Sequence, residues 1–276
     1  MSKGFLVFAK NSNGVDYIEQ AYALALSIKN SQTAVKKISL VTDDVVPDNY
    51  VSIFDRIIPT PFDTTTDSRF KAEHRWKLYY ASPYDETIVL DTDMLMLDDI
   101  SLWWDHCSHS DIKFCSRIKN YKDEVVVDTV HRRTFIENKL SNPYFALHYF
   151  KKSETAYEFY KVLEFVVNNW EWCWTKFAPE EYQDWVSMDL ATAIAIEITG
   201  LHEEVLDTDG PLEFVHMKAP LQGWKLNISN WQDAIFFNFS NELTLSNIRQ
   251  NKLFHYVEKD FLTTPLINRL KELVNG

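Results

Sequence analysis

Two aspartates, Asp91 and Asp93, stand at the end of an apolar segment, where their carboxylates can act together. The apolar run 87–90 precedes them and a second apolar run, 94–97, follows them. A short apolar run of this length predicts a buried strand, and two carboxylates at positions i and i+2 can converge once the backbone turns at its end. Mg²⁺ and Mn²⁺ prefer such oxygen ligands and leave positions open for diphosphate oxygens. The pattern therefore predicts a divalent metal site at which the ion assists the departure of a diphosphate.

The chain contains a second copy of the same tripeptide, which serves as an internal comparison. Asp207-Thr208-Asp209 is followed directly by Gly210-Pro211, and no long apolar run precedes it. Glycine and proline after an aspartate are typical of a turn. We therefore predict a turn at this second copy and metal binding at the first.

Apolar runs and helical periodicities alternate along the first third of the chain. Strands are predicted at residues 4–9, 37–41, 54–59 and 87–90, and helices at 17–28 and 71–84. Such alternation predicts parallel βαβ units, whose functional loops lie at the carboxyl ends of the strands.

The later part of the chain continues the α/β pattern with fewer clear elements. Residues 105–142 are polar and irregular, and their clearest strand is at 125–127. Beyond them we predict helices at 154–169, 184–198 and 264–274 and strands at 212–216 and 253–257. No linker or internal repeat separates these elements, so we predict one domain over residues 1–276.

The composition argues against several classes of partner. The chain has 40 acidic and 28 basic residues and a formal charge of -12. It therefore lacks the positive field that draws proteins to nucleic acids or anionic lipids. Three cysteines, Cys107, Cys115 and Cys173, show no metal-ligand spacing and indicate reduced thiols. Because no apolar run has the length of a signal peptide or a membrane span, we expect a soluble, cytoplasmic protein.

Residues 87–97, Thr-Ile-Val-Leu-Asp-Thr-Asp-Met-Leu-Met-Leu, resemble a known signature. It is the Tyr-Leu-Asp-Ala-Asp-x-Leu-Val segment of family 8 glycosyltransferases, the glycogenin-like group. The resemblance implies a GT-A-like α/β fold that binds a nucleotide-diphospho-sugar, with a mostly parallel central sheet flanked by helices. It also implies Mn²⁺ (or Mg²⁺) as cofactor, a UDP-sugar donor and transfer with retention of configuration. Residues 1–100 would form the nucleotide-binding half and residues 101–276 the acceptor-side half.

Two further segments match the family in the expected order. Residues 74–78, His-Arg-Trp-Lys-Leu, are similar to the family's Ala-Arg-Leu-x-Leu helix. The similarity implies that Arg75 contacts the donor, with Lys77 as a less certain neighbour. Residues 142–152 resemble a segment that begins Asn-Ala-Gly and ends in a basic pair, which places Asn142 where the family positions the donor sugar.

The last two matches complete the implied site. Residues 187–190, Ser-Met-Asp-Leu, fall where the family has Asp-Gln-Asp, and they imply that Asp189 orients the sugar. Residues 253–259 resemble the terminal His-x-x-Gly-x-x-Lys element. This match implies that His255 is the third metal ligand beside Asp91 and Asp93, and that Lys259 contacts the diphosphate.

The chain departs from the family pattern at several of these positions. Pro143-Tyr144 replaces a small residue and glycine, which predicts a reshaped sugar pocket, and Ser187-Met188 replaces Asp-Gln. His255 and Lys259 are closer in sequence than the family spacing, and the glycine between them is absent. The first loop offers Lys10 and Asn11 rather than acidic residues, a further departure at the nucleobase end of the site.

Several residues keep alternative interpretations. His255 can be a buried structural histidine, and His216 is a rival ligand or an acceptor-site residue. Asp189 can complement a helix dipole, and Asn142 before proline can be a turn residue. Further candidates are Asp43 and Asp44 as nucleotide neighbours, and Trp170, Trp172 and Trp174 as a sugar platform or, more often in such clusters, as core.

The predicted function is transfer of a hexose from a UDP-sugar to a hydroxyl of a glycan, protein or small molecule. Its rivals are a phosphatase of the haloacid dehalogenase type, which carries Asp-x-Asp at its first strand, and a nucleotidyltransferase. The latter needs a glycine-rich loop near the start, where this chain has only Gly4 and Gly14. A third alternative is a degenerate nucleotide-sugar-binding protein without transferase activity.

Overall fold

The structure is a computed structural model that describes residues 1–12, 14–62, 71–126, 132–179, 185–217, 231–233, 235–240 and 242–276. The described strands are β1 (Lys3–Phe8), β2 (Ile38–Val41), β3 (Arg56–Ile58), β4 (Glu86–Leu90), β5 (Met94–Met96), β6 (Ile112–Cys115), β7 (Arg117–Lys119), β8 (Tyr144–Lys151), β9 (Leu206–Asp207), β10 (Glu213–His216), β11 (Phe237–Phe239), β12 (Leu243–Leu245), β13 (Ile248–Arg249) and β14 (Leu253–His255). The described α-helices are α1 (Tyr17–Ser31), α2 (Asp48–Val51), α3 (Leu78–Ala81), α4 (Ser101–Cys107), α5 (Arg133–Glu137), α6 (Glu154–Asn168), α7 (Trp170–Phe177), α8 (Met188–Thr199), α9 (His202–Val205) and α10 (Thr264–Asn275). None of these helices has the length and apolar character needed to cross a bilayer.

The largest sheet has seven strands in the order β3-β2-β1-β4-β8-β6-β9. Within it, β8 is antiparallel to both neighbours and the other pairings are parallel. The central strands β4 and β8 have almost every side chain buried, because helices cover both faces of the sheet. Such strands form continuous apolar runs rather than alternating ones. The predicted α/β fold with a mostly parallel central sheet is confirmed.

A second sheet carries the other half of the site. Its order is β5-β14-β10-β7, with β5 antiparallel to β14 and the remaining pairs parallel. Only residues 91–93 separate β4 from β5. The chain therefore passes from the first sheet to the second within Asp91-Thr92-Asp93. A third sheet, β11-β12-β13, is antiparallel.

Three apolar clusters hold these layers together. One cluster joins α1 and α4 to one face of the first sheet, with Phe5 and Trp104 in edge-to-face contact at 5.3 Å between ring centres. A second joins α6 and α8 to the opposite face. A third packs α1 and α10 on the second sheet. Helix α1 begins after Asp16, whose carboxylate accepts the Glu19 N–H at 2.9 Å, a stabilising N-cap.

The amphipathic helix predicted at residues 71–84 is helical over 71–81, but most of it is not an α-helix. A 3₁₀-helix at Lys71–Lys77 precedes the single turn of α3. His74, Trp76 and Lys77 are all buried, so packing on several sides, rather than one apolar face, sets the backbone. The α-helix stops at Ser82 because the residue before a proline is disfavoured in helical conformation.

The segment 105–142, predicted to be irregular, contains regular structure. Strands β6 and β7 and helix α5 lie in it. These strands have only three or four residues, too few for a periodic pattern to show. Of the strand predicted at 125–127, Val125 forms one bridge with Lys119 and residue 127 lies outside the described residues. The helix predicted at 184–198 begins at Met188 instead, after the cap Ser187, and residue 184 is not described.

The second Asp-Thr-Asp copy forms the predicted turn, and its first aspartate stabilises it. Asp207 is buried at the end of β9. Its Oδ1 lies 2.7 Å from His106 Nε2, and its Oδ2 accepts the Leu212 N–H at 2.8 Å. Gly210 passes close above this carboxylate, since a Cβ on Gly210 would lie 2.0 Å from Asp207 Oδ1 and 2.4 Å from His106 Nε2.

We predict that Gly210→Ala destabilises the protein by about 2 to 3 kcal/mol, because the added methyl group must displace the Asp207–His106 pair. Urea unfolding of the variant measures the loss. Gly200→Ala is the matched control, since Gly200 has φ +70 and open space around its Cβ position, so only backbone strain of about 1 kcal/mol is expected. Equal losses in the two variants would contradict the packing at Gly210.

Candidate metal centre

Asp91 and Asp93 lie at the carboxyl end of β4, where the chain leaves the first sheet. The Asp91 N–H donates to the Ala146 carbonyl of β8 at 3.1 Å, which extends the β4–β8 ladder by one bond. The Thr92 hydroxyl donates to Gln20 Oε1 of α1 at 3.3 Å. After Thr92 the chain enters β5 in the second sheet, so the two aspartates project from the turn between the sheets.

His255 reaches this turn through the pairing of β5 with β14. Its register places His255 opposite Met94, the residue that follows Asp93. The Tyr256 N–H then donates to the Asp93 carbonyl at 3.1 Å, and His255 Nε2 lies 3.0 Å from Asp93 Oδ1. One potential ligand atom from each of Asp91, Asp93 and His255 lies within 4.8 Å of the other two.

Two cations pair with the two carboxylates. Arg75, on the 3₁₀-helix before α3, forms an ion pair with Asp91 through its guanidinium NH2. Lys259 begins the short 3₁₀-helix Lys259–Phe261 after β14. Its Nζ lies 2.6 Å from Asp93 Oδ2 and 5.2 Å from the centre of the Tyr17 ring. The structure thus brings together five of the predicted site residues.

Burial and charge oppose one another at this cluster. Burial raises the pKa of Asp91 above its ordinary value, against the charge of Arg75. Burial acts in the same direction on Asp93, but the charges and hydrogen bonds of His255 and Lys259 outweigh it and hold the pKa of Asp93 well below its ordinary value. Burial disfavours the charged form of His255, yet Asp93 raises its pKa overall. Asp93 is therefore the ionised centre around which the cations collect.

The donor set fits a divalent cation such as Mn²⁺ or Mg²⁺. It offers carboxylate oxygens and one imidazole nitrogen, which are donors that Mn²⁺ accepts. His255 Nδ1 is buried and has no hydrogen-bond partner among the described residues, so Nε2 is the ring nitrogen directed at Asp93. Without its proton, Nε2 can bind an ion together with the carboxylates.

Asp189 lies beside this cluster and is held at both carboxylate oxygens. Its Oδ1 accepts the Phe145 N–H at 2.7 Å, and its Oδ2 pairs with Arg132 at 2.8 Å. The Arg132 guanidinium stacks on the Tyr144 ring at 3.6 Å and donates to the Pro143 carbonyl at 3.3 Å. Sequence reasoning missed Arg132, because a basic residue in a polar segment looks like any solvated charge.

Asn142 and Lys77 lie near the same edge of the first sheet. Asn142 is in the loop that leads into β8, two residues before Tyr144, and its Oδ1 is buried without a hydrogen-bond partner among the described residues. Because β8 runs antiparallel to β4, this loop lies beyond the carboxyl end of β4. Lys77 is only 5% exposed, with its Nζ 5.7 Å from the Trp76 ring centre. The roles predicted for both residues stay predictions.

The acidic pair after β2 serves the backbone of neighbouring loops. Asp43 Oδ1 accepts the Thr60 N–H at 2.8 Å, and Asp44 Oδ2 accepts the Asn11 N–H. Asn11 in turn accepts the Ile18 N–H at 3.2 Å, at the start of α1. These bonds shape the loops at the carboxyl ends of β1 and β2, where the predicted nucleotide-binding half would hold the base.

His216 and the three tryptophans are candidates that do not belong to the group Asp91, Asp93 and His255. His216 lies beside His255 in the pairing of β10 with β14, with ring centres 5.2 Å apart, and the three-residue ligand group contains His255. Trp170 and Trp174 are buried in the core, as the packing interpretation predicts, whereas Trp172 is 54% exposed.

A buried histidine lies beneath the site. His148 on β8 is fully buried, with its Nδ1 2.9 Å from the Phe145 carbonyl and its Nε2 2.8 Å from the Tyr160 hydroxyl. A carbonyl can only accept, so Nδ1 carries the proton and Nε2 accepts from Tyr160. Burial lowers the pKa of His148 to about 3, and the charge of Arg75 acts in the same direction.

Comparison with known proteins identifies the fold. No protein family model and no curated protein sequence matches the chain. Among solved structures, galactosyltransferase LgtC in complex with donor and acceptor sugar analogs is 14% identical, with a TM-score of 0.52 over 98% of this chain and 95% of LgtC. Mouse xyloside xylosyltransferase 1 in its apo form is 9% identical, with a TM-score of 0.53 over 93% of this chain and 98% of that one. The chain therefore has the GT-A-like fold of these glycosyltransferases, as predicted.

A third match is partial. The glycosyltransferase GlyE of Streptococcus pneumoniae TIGR4, in its apo form, is 15% identical, with a TM-score of 0.43. The match covers 75% of this chain and 45% of the length of GlyE.

We predict that His148 makes stability depend on pH. Between its ordinary pKa and about 3, the unfolded chain takes up a proton at this residue and the folded chain does not. As the pH is lowered, the free energy of unfolding should therefore decrease by up to about 1.4 kcal/mol per pH unit from this group alone. Urea unfolding of wild type and His148→Gln at about pH 7, 6, 5 and 4 isolates the effect, since other groups cancel in the difference.

The wild type should lose its advantage over His148→Gln as the pH falls. A difference that stays constant from neutral to acid pH would show that His148 is not held neutral in the folded protein.

Proposed function

We propose that the chain is a metal-dependent glycosyltransferase that moves a hexose from a UDP-sugar to a hydroxyl acceptor, with retention of configuration. The observation that carries this proposal is the group Asp91, Asp93 and His255, flanked by Arg75 and Lys259. The group lies at the carboxyl end of a central strand in a GT-A-like fold, where open α/β sheets bind their ligands.

Each residue of the group has a distinct role in this proposal. Asp91, Asp93 and His255 hold Mn²⁺ (or Mg²⁺), which supplies Lewis-acid stabilisation of the leaving diphosphate. Arg75 and Lys259 contribute two positive charges that contact the donor. Both are paired with the ligand carboxylates, so they already point at the position where the diphosphate charge would develop. Lys77 is proposed as a neighbour of Arg75 on the donor side.

Asp189 and Asn142 are proposed to orient the transferred sugar. Both carboxylate oxygens of Asp189 are already engaged, by Phe145 and by Arg132, so this group is suited to positioning rather than to proton abstraction. The unpartnered Oδ1 of Asn142 is an acceptor available to a sugar hydroxyl. Catalysis then depends on positioning and on stabilisation of the leaving group, not on a strong base.

The proposal extends to the donor sugar and to the class of acceptor. The matched structures are named a galactosyltransferase and a xyloside xylosyltransferase. UDP-galactose and UDP-glucose are therefore the hexose donors to test, and UDP-xylose is the pentose donor with which to compare them. Tyr144, where the family has glycine, packs with Arg132, which pairs with Asp189, and we propose that its ring reshapes the sugar side of the site. The formal charge of -12 supports a glycan, protein or small molecule as acceptor, rather than a nucleic acid or a membrane surface.

We predict that Mn²⁺ together with one nucleoside diphosphate stabilises the wild type and not Asp93→Asn. A ligand present at about 100 times its Kd adds about 2.7 kcal/mol, or roughly 5 °C in Tm. Thermal unfolding with Mn²⁺ and a panel of nucleotides and the three UDP-sugars measures the shift, and donor hydrolysis then tests turnover. Asp209→Asn is the matched control, because it changes the exposed aspartate of the second tripeptide and should behave like wild type.

The outcomes separate the candidates. A shift with UDP that is lost in Asp93→Asn supports the donor site, and donor hydrolysis separates a transferase from a degenerate binding protein. No shift with any nucleotide at saturating Mn²⁺ would overturn the proposal.

We predict that Lys259→Met has opposite effects on the two ligands. Mn²⁺ alone should bind more tightly, because Asp93 loses the ammonium group 2.6 Å away that competes for it. UDP in the presence of Mn²⁺ should bind about 10-fold or more weakly, because a charged contact worth roughly 1.5–3 kcal/mol is removed. Isothermal titration calorimetry measures both constants. The control Lys161→Met removes an exposed lysine of α6 and should change neither, whereas weaker Mn²⁺ binding by Lys259→Met would contradict the competition.

A further inference from the structure

The backbone of Phe145 connects the two sides of the site. Its N–H donates to Asp189 Oδ1 at 2.7 Å. Its carbonyl accepts from Arg75 at 3.5 Å, and its ring lies 5.0 Å from the Arg75 guanidinium. Arg75 in turn pairs with Asp91. The position of this one peptide segment therefore sets both the cation on the donor side and the carboxylate on the sugar side.

Phe145 lies where β8 departs from regular pairing. The register of β8 against β6 changes between two consecutive β6 residues, so that Phe114 pairs with His148 whereas Cys115 pairs with Tyr144. Regular pairing with β6 cannot fix Phe145 within this irregularity, and irregularities of this kind often re-aim groups beside active sites. On its other side, β8 continues its pairing with β4 through Leu147.

The His148 side chain constrains the Phe145 carbonyl. Its Nδ1–H donates back to the Phe145 carbonyl at 2.9 Å, and its Nε2 accepts from the Tyr160 hydroxyl of α6 at 2.8 Å. Both residues are fully buried, and His148 stacks on Phe114 with ring centres 5.0 Å apart. Since both ring nitrogens are satisfied, the imidazole has one orientation and one tautomer.

We propose that His148 and Tyr160 are positioning residues of the donor site, which act on Arg75 and Asp189 through the Phe145 backbone. This inference rests on the proposed function, because the residues that it positions are those assigned to the donor. A histidine that only filled space in the core would not need a hydrogen bond to the Phe145 carbonyl, which also contacts Arg75.

Two substitutions of His148 separate positioning from packing. The amide of Asn can occupy the place of Nδ1 and donate to the Phe145 carbonyl, whereas the amide of Gln reaches the place of Nε2 and leaves that carbonyl without its donor. We expect His148→Gln to lower kcat/KM for donor hydrolysis about 10- to 100-fold, mainly through kcat, because Lys259 and the metal ligands still hold the diphosphate. His148→Asn should keep most of the wild-type kcat/KM, even if the two variants are equally destabilised.

A pair of tyrosines supplies the matched control. Tyr160 and Tyr79 are both buried, their rings stack 4.7 Å apart, and each hydroxyl has one hydrogen-bond partner among the described residues. The partner of Tyr79 is the Ser153 carbonyl at 3.2 Å, away from Phe145. We expect Tyr160→Phe to lower kcat and Tyr79→Phe to leave the kinetic constants unchanged, although both lose a buried hydrogen bond.

The experiment uses the whole chain with Mn²⁺ and the UDP-sugar that the wild type hydrolyses fastest among UDP-glucose, UDP-galactose and UDP-xylose. An active wild type with equal kcat in Tyr160→Phe and Tyr79→Phe, or in His148→Gln and His148→Asn, would overturn the positioning role and leave the proposed function intact. A wild type that neither binds nor hydrolyses any of these donors would instead overturn the proposed function, and this inference with it. If His148→Gln does not fold, the tyrosine pair still decides the question.

Discussion

The antiparallel pairing of β5 with β14 is the interaction on which the site depends. It places His255 opposite Met94 and joins the Tyr256 N–H to the Asp93 carbonyl, so that residues far apart in sequence share one small volume. The turn at 91–93 makes this possible, because β4 ends in the first sheet and β5 begins the second. A backbone constraint of this kind fixes ligand positions more firmly than a loop could.

Charge balance is the second constraint. Asp93 is buried and Asp91 is half-buried, and a ligand atom from each lies within 4.8 Å of an imidazole nitrogen. The two carboxylates would repel each other without compensation. Arg75, Lys259 and His255 supply that compensation in a chain whose formal charge is -12. In the proposed function, the same cations would contact the diphosphate of the donor, so that one set of side chains would compensate the carboxylates and then serve the donor.

Much of the fold and the centre of the site could be predicted from sequence. The continuous apolar runs of β1, β2 and β4 gave the parallel sheet, and the apolar context of Asp91 and Asp93 separated them from the turn at Asp207. His255 and Lys259 were found only because segments followed a family order. The short strands of the middle segment, the 3₁₀-helix at Lys71–Lys77 and the role of Arg132 were missed, because tertiary contacts, not local periodicity, determine them.

We propose that Asp91, Asp93 and His255 bind one divalent ion that also contacts a diphosphate. Crystals of the protein grown with Mn²⁺ and UDP, measured at the manganese absorption edge, test it most directly. We expect one strong anomalous peak within coordination distance of both aspartates and of His255 Nε2, with diphosphate oxygens completing the shell and Lys259 moved from Asp93 to a phosphate. A peak elsewhere, or UDP bound with no peak at these three residues, would contradict it.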